Sequence, residues 1–135
     1  MQYRINGENN IWIMKPACSS RGRGIKLYNS LPEILKMCSS RTTPADFIIQ
    51  KYIESPLVIH NRKFDLRIWA LVTCANPLTI WIFNKPYVRF TASDFTLQDI
   101  NDRFIHLSNH AVSAKNTDPL PSVPIEGNMW FHTQL

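Results

Sequence analysis

The first residues with evident chemistry are a lysine and a basic loop that follows it. Lys15 ends a short apolar run, and residues 19–24 (SSRGRG) contain two glycines and two arginines. Glycines let a backbone approach a phosphate closely, and exposed amides together with Arg21 supply hydrogen-bond donors. The GK[ST] ending of a Walker loop is absent. A phosphate contact and a plain solvent-exposed hairpin are therefore about equally good interpretations.

A second candidate lies at the end of another apolar strand, where Gln50 and Lys51 precede Tyr52 and Ile53. Backbone groups at such a strand end are able to meet the edge of an adenine ring, with Ile53 packed against its face. Taken alone, this pattern favours an ordinary strand that turns into solvent.

The third candidate is an alternating segment in which Lys63, Asp65 and Arg67 share one face. Phe64 and Leu66 lie on the other face, as in a strand that borders a cleft. Lys63 suits phosphate or ribose oxygens, and Asp65 suits a ribose hydroxyl or the orientation of Lys63. Arg67 suits the charge of a phosphoryl group in transfer. The alternative is an exposed face with weak ion pairs.

Two further groups have polar side chains suited to a ligand. The planar fork of Arg89 fits a carboxylate. Ser108 and Asn109 can bond to a ribose or a phosphate. His106 and His110 flank them, but two histidines without a third ligand do not indicate a metal site, and we interpret both as structural.

Hydrophobic periodicity predicts the elements that must position these residues. It predicts strands at residues 11–15, 25–28, 47–52, 64–74, 78–83 and 87–90, and helices at residues 31–37 and 91–100. Ser30, Pro32 and Glu33 are typical of a helix start. The resulting fold class is α+β, with mostly antiparallel strands and short helices. Residues 1–116 form the predicted domain, and residues 117–135 a proline-rich irregular tail.

Composition excludes several classes of protein. The chain has 135 residues, with 44% hydrophobic and 19% charged, which suits a globular core. Three dispersed cysteines indicate neither a zinc site nor a disulfide framework. Apolar stretches are of strand length, so no membrane span is expected. The net charge of +5 is scattered, which favours phosphate contacts or an acidic protein partner over nucleic acid.

Taken in order, these segments resemble the tubulin tyrosine ligase-like enzymes, an ATP-grasp family. The resemblance rests on IWIMKP, SSRGRGI, FIIQKYIESPLVIHNRKFDLRIWALVT, NPLTIWIFNKPYVRF and HLSNHAVS, and it runs over about residues 10–115. The SRGRGI loop, the residues around KFDLR and the NMW near the end look most similar to the tubulin glycylase branch. The resemblance implies a partial ATP-grasp-like domain.

The same resemblance implies the role of each candidate residue toward ATP and an amino acid. Arg67 corresponds to the arginine near the γ-phosphate, and Arg89 to the arginine that takes the carboxylate of the incoming amino acid. The nucleotide contacts implied are Lys15, Arg21, Gly22, Gln50, Lys51, Tyr52, Ile53, Lys63, Phe64, Asp65, Ser108 and Asn109. We expect Lys15, Lys63 and Arg67 to converge on one triphosphate.

The implied reaction is an ATP-dependent ligation of glycine to glutamate side chains in tubulin tails. ATP phosphorylates the glutamate carboxyl, and the amine of glycine attacks the acyl-phosphate. Acidic tubulin tails and microtubules are the implied partners. Cytoplasm, cytoskeleton, and cilium or axoneme are the implied locations.

The implied magnesium site is the main departure from the family. Its members carry a later aspartate and a Glu-x-Asn segment for Mg²⁺, and we interpret the stretch after Asn116, with Asp118 and Glu126, as lacking that segment. No residue of this chain is therefore assigned to metal, and little turnover is expected. The alternatives are a non-catalytic module that binds nucleotide or tubulin tails and, ranked last, a basic single-stranded nucleic-acid binder.

Overall fold

The computed structural model describes residues 6–39, 46–117 and 121–134. Over these ranges the strands pair antiparallel in three sheets, of order β2-β1-β3, β4-β5-β8-β9 and β6-β7. In chain order the elements are β1 (Trp12–Pro16), β2 (Lys26–Tyr28), α1 (Leu31–Ser39), β3 (Phe47–Lys51), β4 (Val58–Ile59), β5 (Arg62–Arg67), β6 (Ala70–Ala75), β7 (Leu78–Ile82), β8 (Tyr87–Phe90), α2 (Arg103–His106), α3 (His110–Ser113) and β9 (Met129–Phe131). The predicted fold class, α+β with mostly antiparallel strands and short helices, is confirmed.

The start of α1 follows the signals in the sequence. The backbone oxygen of Ser30 accepts a hydrogen bond from the amide of Ile34 at 3.3 Å. Pro32 lies in the first turn, where its missing amide costs no intrahelical bond, and Glu33 lies near the positive end of the helix. The helix runs to Ser39, two residues beyond the predicted end.

The hydrophobic core lies between the first sheet and the segment that contains the short helices. Ile11 and Ile13 from the β1 region pack with Leu107 and Val112. The first sheet is thereby held against residues 104–112, which carry the predicted pair Ser108 and Asn109 on the adjoining surface.

The prediction of a single strand over residues 64–74 is wrong. The chain leaves one sheet after Arg67 and enters another at Ala70, because β5 pairs with β8 whereas β6 pairs only with β7 among the described strands. The apolar face predicted there is not a core face. Leu66 and Ile68 are both 50% exposed, and Val72 is 56% exposed.

The predicted helix over residues 91–100 is also wrong. The amide of Thr91 continues the β5–β8 pairing by donating to the backbone oxygen of Lys63 at 2.9 Å, so extended chain stands where the helix was predicted to begin. The amide of Phe95 bonds to the backbone oxygen of Asn61 at 2.7 Å. The next helix is α2, whose cap is Asp102, which accepts from the amide of Phe104 at 2.7 Å.

The irregular character predicted for residues 117–135 is wrong over part of that range. Glu126–Asn128 form a short 3-10 helix, and β9 then adds to the edge of β8. The Trp130 ring lies 5.0 Å from the Phe90 ring, centroid to centroid, which gives β9 an apolar anchor. Asp118 falls outside the described residues. The division at residue 116 stays a prediction.

Within the described ranges, no helix is long and apolar enough to span a bilayer.

Candidate functional site

A pocket of about 420 Å³ opens between β1, β3 and the start of β5. Its volume falls within the usual range for small-molecule sites. Seven predicted nucleotide contacts line it: Lys15, Gln50, Lys51, Tyr52, Ile53, Lys63 and Phe64. The remaining lining residues, which were not predicted, are Ile13, Ser55, Pro56 and Leu57.

One cationic group of this pocket comes from the first sheet. Lys15 lies on β1, which pairs with β3, so Lys15 and Gln50 are near neighbours across two strands. The Lys15 ammonium donates to the Gln50 side-chain oxygen at 2.7 Å. This bond is exposed, so a ligand oxygen is able to reach the same ammonium.

The second cationic group is Lys63 at the start of β5. Its ammonium donates to the Tyr52 hydroxyl at 3.0 Å and to the backbone oxygen of His106 at 3.1 Å. It also lies 4.5 Å from the centroid of the Tyr52 ring. Burial, reinforced by the nearby charge of Lys15 and opposed by Asp65, lowers the pKa of Lys63 to about 8. The two lysines thus converge on one pocket and repel each other there.

Asp65 joins three of the predicted residues into one cluster. Arg89 donates to both of its carboxylate oxygens, at 2.7 Å and 2.6 Å, in a bidentate pair. Ser108 donates to the same carboxylate at 2.9 Å. The hydrogen bonds that Arg89 donates to Asp65 are the main cause that raises the pKa of Arg89. The structure therefore brings Asp65, Arg89 and Ser108 together.

The basic loop is held against α3 through Gly22. This residue has a φ of +75°, and a Cβ placed on it would lie 2.9 Å from the side-chain oxygen of Asn109 and 2.9 Å from a methyl group of Val112. Arg103 donates to the backbone oxygen of Gly22 at 3.2 Å. Gly22 and Asn109 are thereby brought together, whereas the neighbouring Arg21 is exposed.

Lys51 lines the pocket, but Glu54 and backbone oxygens hold its ammonium. It pairs with the carboxylate of Glu54 and donates to the backbone oxygens of Asn6 at 2.9 Å and Ile11 at 3.1 Å. Glu54 also accepts from the backbone amides of Asn9 at 2.7 Å and Ile11 at 2.8 Å. No periodicity or motif in the sequence pointed to Glu54, which is 2% exposed.

Arg67 does not reach the pocket. It is exposed at the far end of β5, opposite Tyr87, and it is not among the residues that line the pocket. Arg67 lies four positions after Lys63 along the strand, a span of about 13 Å. The expected convergence of three cations is thus met by Lys15 and Lys63 but not by Arg67.

The described residues do not gather a magnesium site. Residues 126–128 do read Glu-x-Asn, which our interpretation of the sequence overlooked. However, the side-chain oxygen of Asn128 accepts from the guanidinium of Arg62, and Glu126 is exposed. Among the described residues, no three or more His, Cys, Asp or Glu side chains cluster closely enough to hold a metal ion. Both oxygens of Asp65 are engaged by Arg89.

Comparison with known proteins places the chain in a family. The profile described as "Tubulin-tyrosine ligase family" matches residues 1–135. Tubulin glycylase 3D of Tetrahymena thermophila is 45% identical over 135 residues, covering 99% of this chain and 13% of that protein. Tubulin monoglycylase TTLL3 of Mus musculus is 42% identical, covering 96% of this chain and 14% of that protein.

A third relative also has a glycylase name. Protein monoglycylase TTLL8 of Mus musculus is 41% identical over 140 residues, covering 99% of this chain and 17% of that protein. The chain thus spans 13% to 17% of the length of these relatives. Because the family profile covers its whole length, this chain belongs to the tubulin-tyrosine ligase family.

Proposed function

We propose that this chain holds ATP for a ligase that joins glycine to glutamate side chains of tubulin tails. The observation that carries the proposal is the convergence of Lys15 and Lys63 on a pocket with apolar walls. Two like charges that repel each other in the lining of one pocket favour a polyanionic ligand, because such a ligand relieves the repulsion. Family membership and the names of the glycylase relatives support the choice of reaction.

The pocket lining combines two kinds of chemistry. Ile13, Ile53 and Leu57 provide apolar surface for a base, next to the backbone of residues 50–53. Lys15 and Lys63 provide ammonium groups for phosphate oxygens. A nucleotide has this same division between a flat ring and a charged chain, so the residues present fit ATP.

The cluster around Asp65 suits the second substrate. The fork of Arg89 already binds a carboxylate in two-point geometry, that of Asp65. An amino-acid carboxylate in the same plane makes the same two bonds if it displaces Asp65. We propose that Arg89 takes the carboxylate of free glycine in this way, with Asp65 then bound by Ser108.

The chemistry follows from charge and position. Transfer of the γ-phosphoryl group to a glutamate carboxylate makes an acyl-phosphate and releases ADP; attack by the glycine amine then forms the isopeptide bond and releases phosphate and a proton. Lys15 and Lys63 bind and orient the phosphate oxygens, whereas Arg67 lies outside the pocket at the exposed end of β5 and is assigned no contact with them. Magnesium, when bound, neutralises phosphate charge; no residue described here is assigned to it.

The partners and the location follow from the same proposal. Acidic tubulin tails and microtubules complement a chain of net charge +5, and neither nucleic acid nor a membrane is proposed. The cytoskeleton of the cytoplasm, and in particular a cilium or axoneme, is the proposed location.

Two measurements on this chain test the proposal. ATP raises the melting temperature if it binds the folded state, and Lys63→Ala reduces that rise at the same ATP concentration. Incubation with labelled glycine, ATP, Mg²⁺ and tubulin tests ligation; from this chain we expect little or no incorporation. Binding without incorporation supports a nucleotide-binding module, and incorporation supports a complete enzyme. A melting temperature that ATP leaves unchanged contradicts the proposal.

A further inference from the structure

A chain of hydrogen bonds leads away from the pocket through two buried side chains, Tyr52 and His106. The Lys63 ammonium meets the Tyr52 hydroxyl at 3.0 Å, and that hydroxyl meets Nδ1 of His106 at 2.9 Å. Nε2 of His106 meets the backbone oxygen of Asp99 at 2.9 Å. Tyr52 and His106 are 3% and 2% exposed, so water does not compete for the bond between them.

The partners of His106 fix which ring nitrogen carries the proton. The backbone oxygen of Asp99 only accepts, so Nε2 donates to it. Nδ1 of the neutral ring is then an acceptor, and the Tyr52 hydroxyl donates to it. The hydroxyl proton is therefore turned away from Lys63, and the oxygen lone pairs face the ammonium.

The surroundings keep the ring of His106 neutral. Burial lowers the pKa of His106, and the nearby charge of Lys63 lowers it further, against Asp99 and Asp102, which raise it. A protonated ring would donate from both nitrogens, so the Tyr52 hydroxyl proton would lose its acceptor. Burial also raises the pKa of Tyr52, so its hydroxyl stays protonated.

The hydrogen bonds of this chain leave one N–H donor of the Lys63 ammonium for a ligand. An ammonium has three donors; Tyr52 and the backbone oxygen of His106 take two, and the side chain also lines the pocket. We propose that His106 is a positioning residue that touches no ligand but, through Tyr52, aims the third donor of Lys63 at an anionic oxygen in the pocket. The identity of that anion as ATP rests on the proposed function.

The first test compares a ligand with phosphates and one without. Tyr52→Phe keeps the ring but removes the hydroxyl, and His106→Leu removes the acceptor. Each substitution is expected to weaken the binding of ATP about tenfold, which corresponds to one hydrogen bond to a charged group. Each should leave the affinity for adenosine within about twofold of the wild-type value. His106→Asn places an acceptor near the position of Nδ1 and is expected to recover most of the loss. His132→Leu, an exposed histidine, serves as the control.

The double variant distinguishes a connected chain from two separate contacts. Because both changes break the same chain, Tyr52→Phe combined with His106→Leu is expected to bind ATP no more weakly than either change alone. Losses that multiply, equal losses for ATP and adenosine, or unchanged ATP binding overturn the proposal.

A ligand-free readout separates this inference from the proposed function. Competitive acetylation of the lysines, read by mass spectrometry across pH, gives the pKa of Lys63 without ATP. Tyr52→Phe and His106→Leu are expected to lower it below about 8, since the charged form loses its acceptor or that acceptor loses its orientation. An unchanged value overturns the inference whether or not the chain binds ATP. Failure of ATP binding with the expected shift overturns only the proposed function.

Discussion

Replacement of Glu54 by glutamine should destabilise the fold by about 3 kcal/mol. Glu54 is buried and accepts from Lys51, Asn9 and the amide of Ile11. The glutamine side chain keeps one acceptor oxygen, but its NH2 group faces groups that also donate hydrogen bonds. The substitution also leaves the Lys51 ammonium without its counter-charge. A hydrogen bond to a charged group is worth about 1.5–3 kcal/mol, and a buried donor left unpaired costs about 1–3 kcal/mol.

Thermal unfolding followed by circular dichroism measures this effect. For a chain of this length, about 3 kcal/mol corresponds to a fall of about 10 °C in melting temperature. Glu8→Gln, an exposed glutamate in the same segment, serves as the control and should change it by less than about 2 °C. A fall of under about 2 °C for Glu54→Gln would refute the anchoring role of this carboxylate.

The pH dependence provides a second check on Glu54. Burial alone would raise its pKa, but the hydrogen bonds from Lys51, Ile11 and Asn9 outweigh it and lower the pKa from 4.5 to about 2. Because the folded-state pKa is the lower one, this stabilisation is complete above about pH 4.5 and is lost as pH falls toward about 2. Glu54→Gln should remove this part of the acid sensitivity.

Three further predictions address the basic loop at Gly22, the pocket around Lys63 and the exposed hairpin of β6 and β7. Gly22→Ala should lower the melting temperature more than Gly127→Ala, because both residues have positive φ but only Gly22 has neighbours at 2.9 Å; equal losses would contradict the packing of the loop on Asn109. ATP affinity, measured by calorimetry, should fall as pH rises through about 8, where Lys63 loses its proton, and Lys63→Met should abolish that dependence; a Lys63→Met profile that keeps the fall would assign it to another group. Leu71→Thr with Trp81→Thr should reduce the binding of an apolar dye with little change in melting temperature, because both side chains are 63% exposed; a melting temperature lowered by over about 5 °C would mean that they are buried.

Local patterns in the sequence predicted the elements whose signals are themselves local. The strands β1 and β3 are short apolar runs and α1 has a capped start, and each of the three lies close to its predicted place. The break after Arg67 was not predictable, because the residues on both sides alternate alike and only the change of partner strand separates β5 from β6. The strand β9 was hidden by prolines that precede it.

In the candidate site, too, the sequence predicted some residues and missed others. Residues of the resemblance motifs, such as Lys15 and Lys63, are recognisable by type and spacing, and the fold brings them to one pocket. Glu54 and His106 each bond to a residue more than 40 positions away, Ile11 and Tyr52, and spacing along the chain does not encode such contacts. The distance of Arg67 from the pocket depends on the length of β5 rather than on residue type.

The affinity of this chain for ATP, measured by isothermal titration calorimetry with single and double lysine variants, tests the central claim most directly. If Lys15 and Lys63 hold phosphates together, Lys15→Met and Lys63→Met should each weaken ATP by about tenfold, and the double variant by more, whereas adenosine should bind all four proteins alike. Equal ATP affinity in the wild-type chain and the double variant would contradict the account.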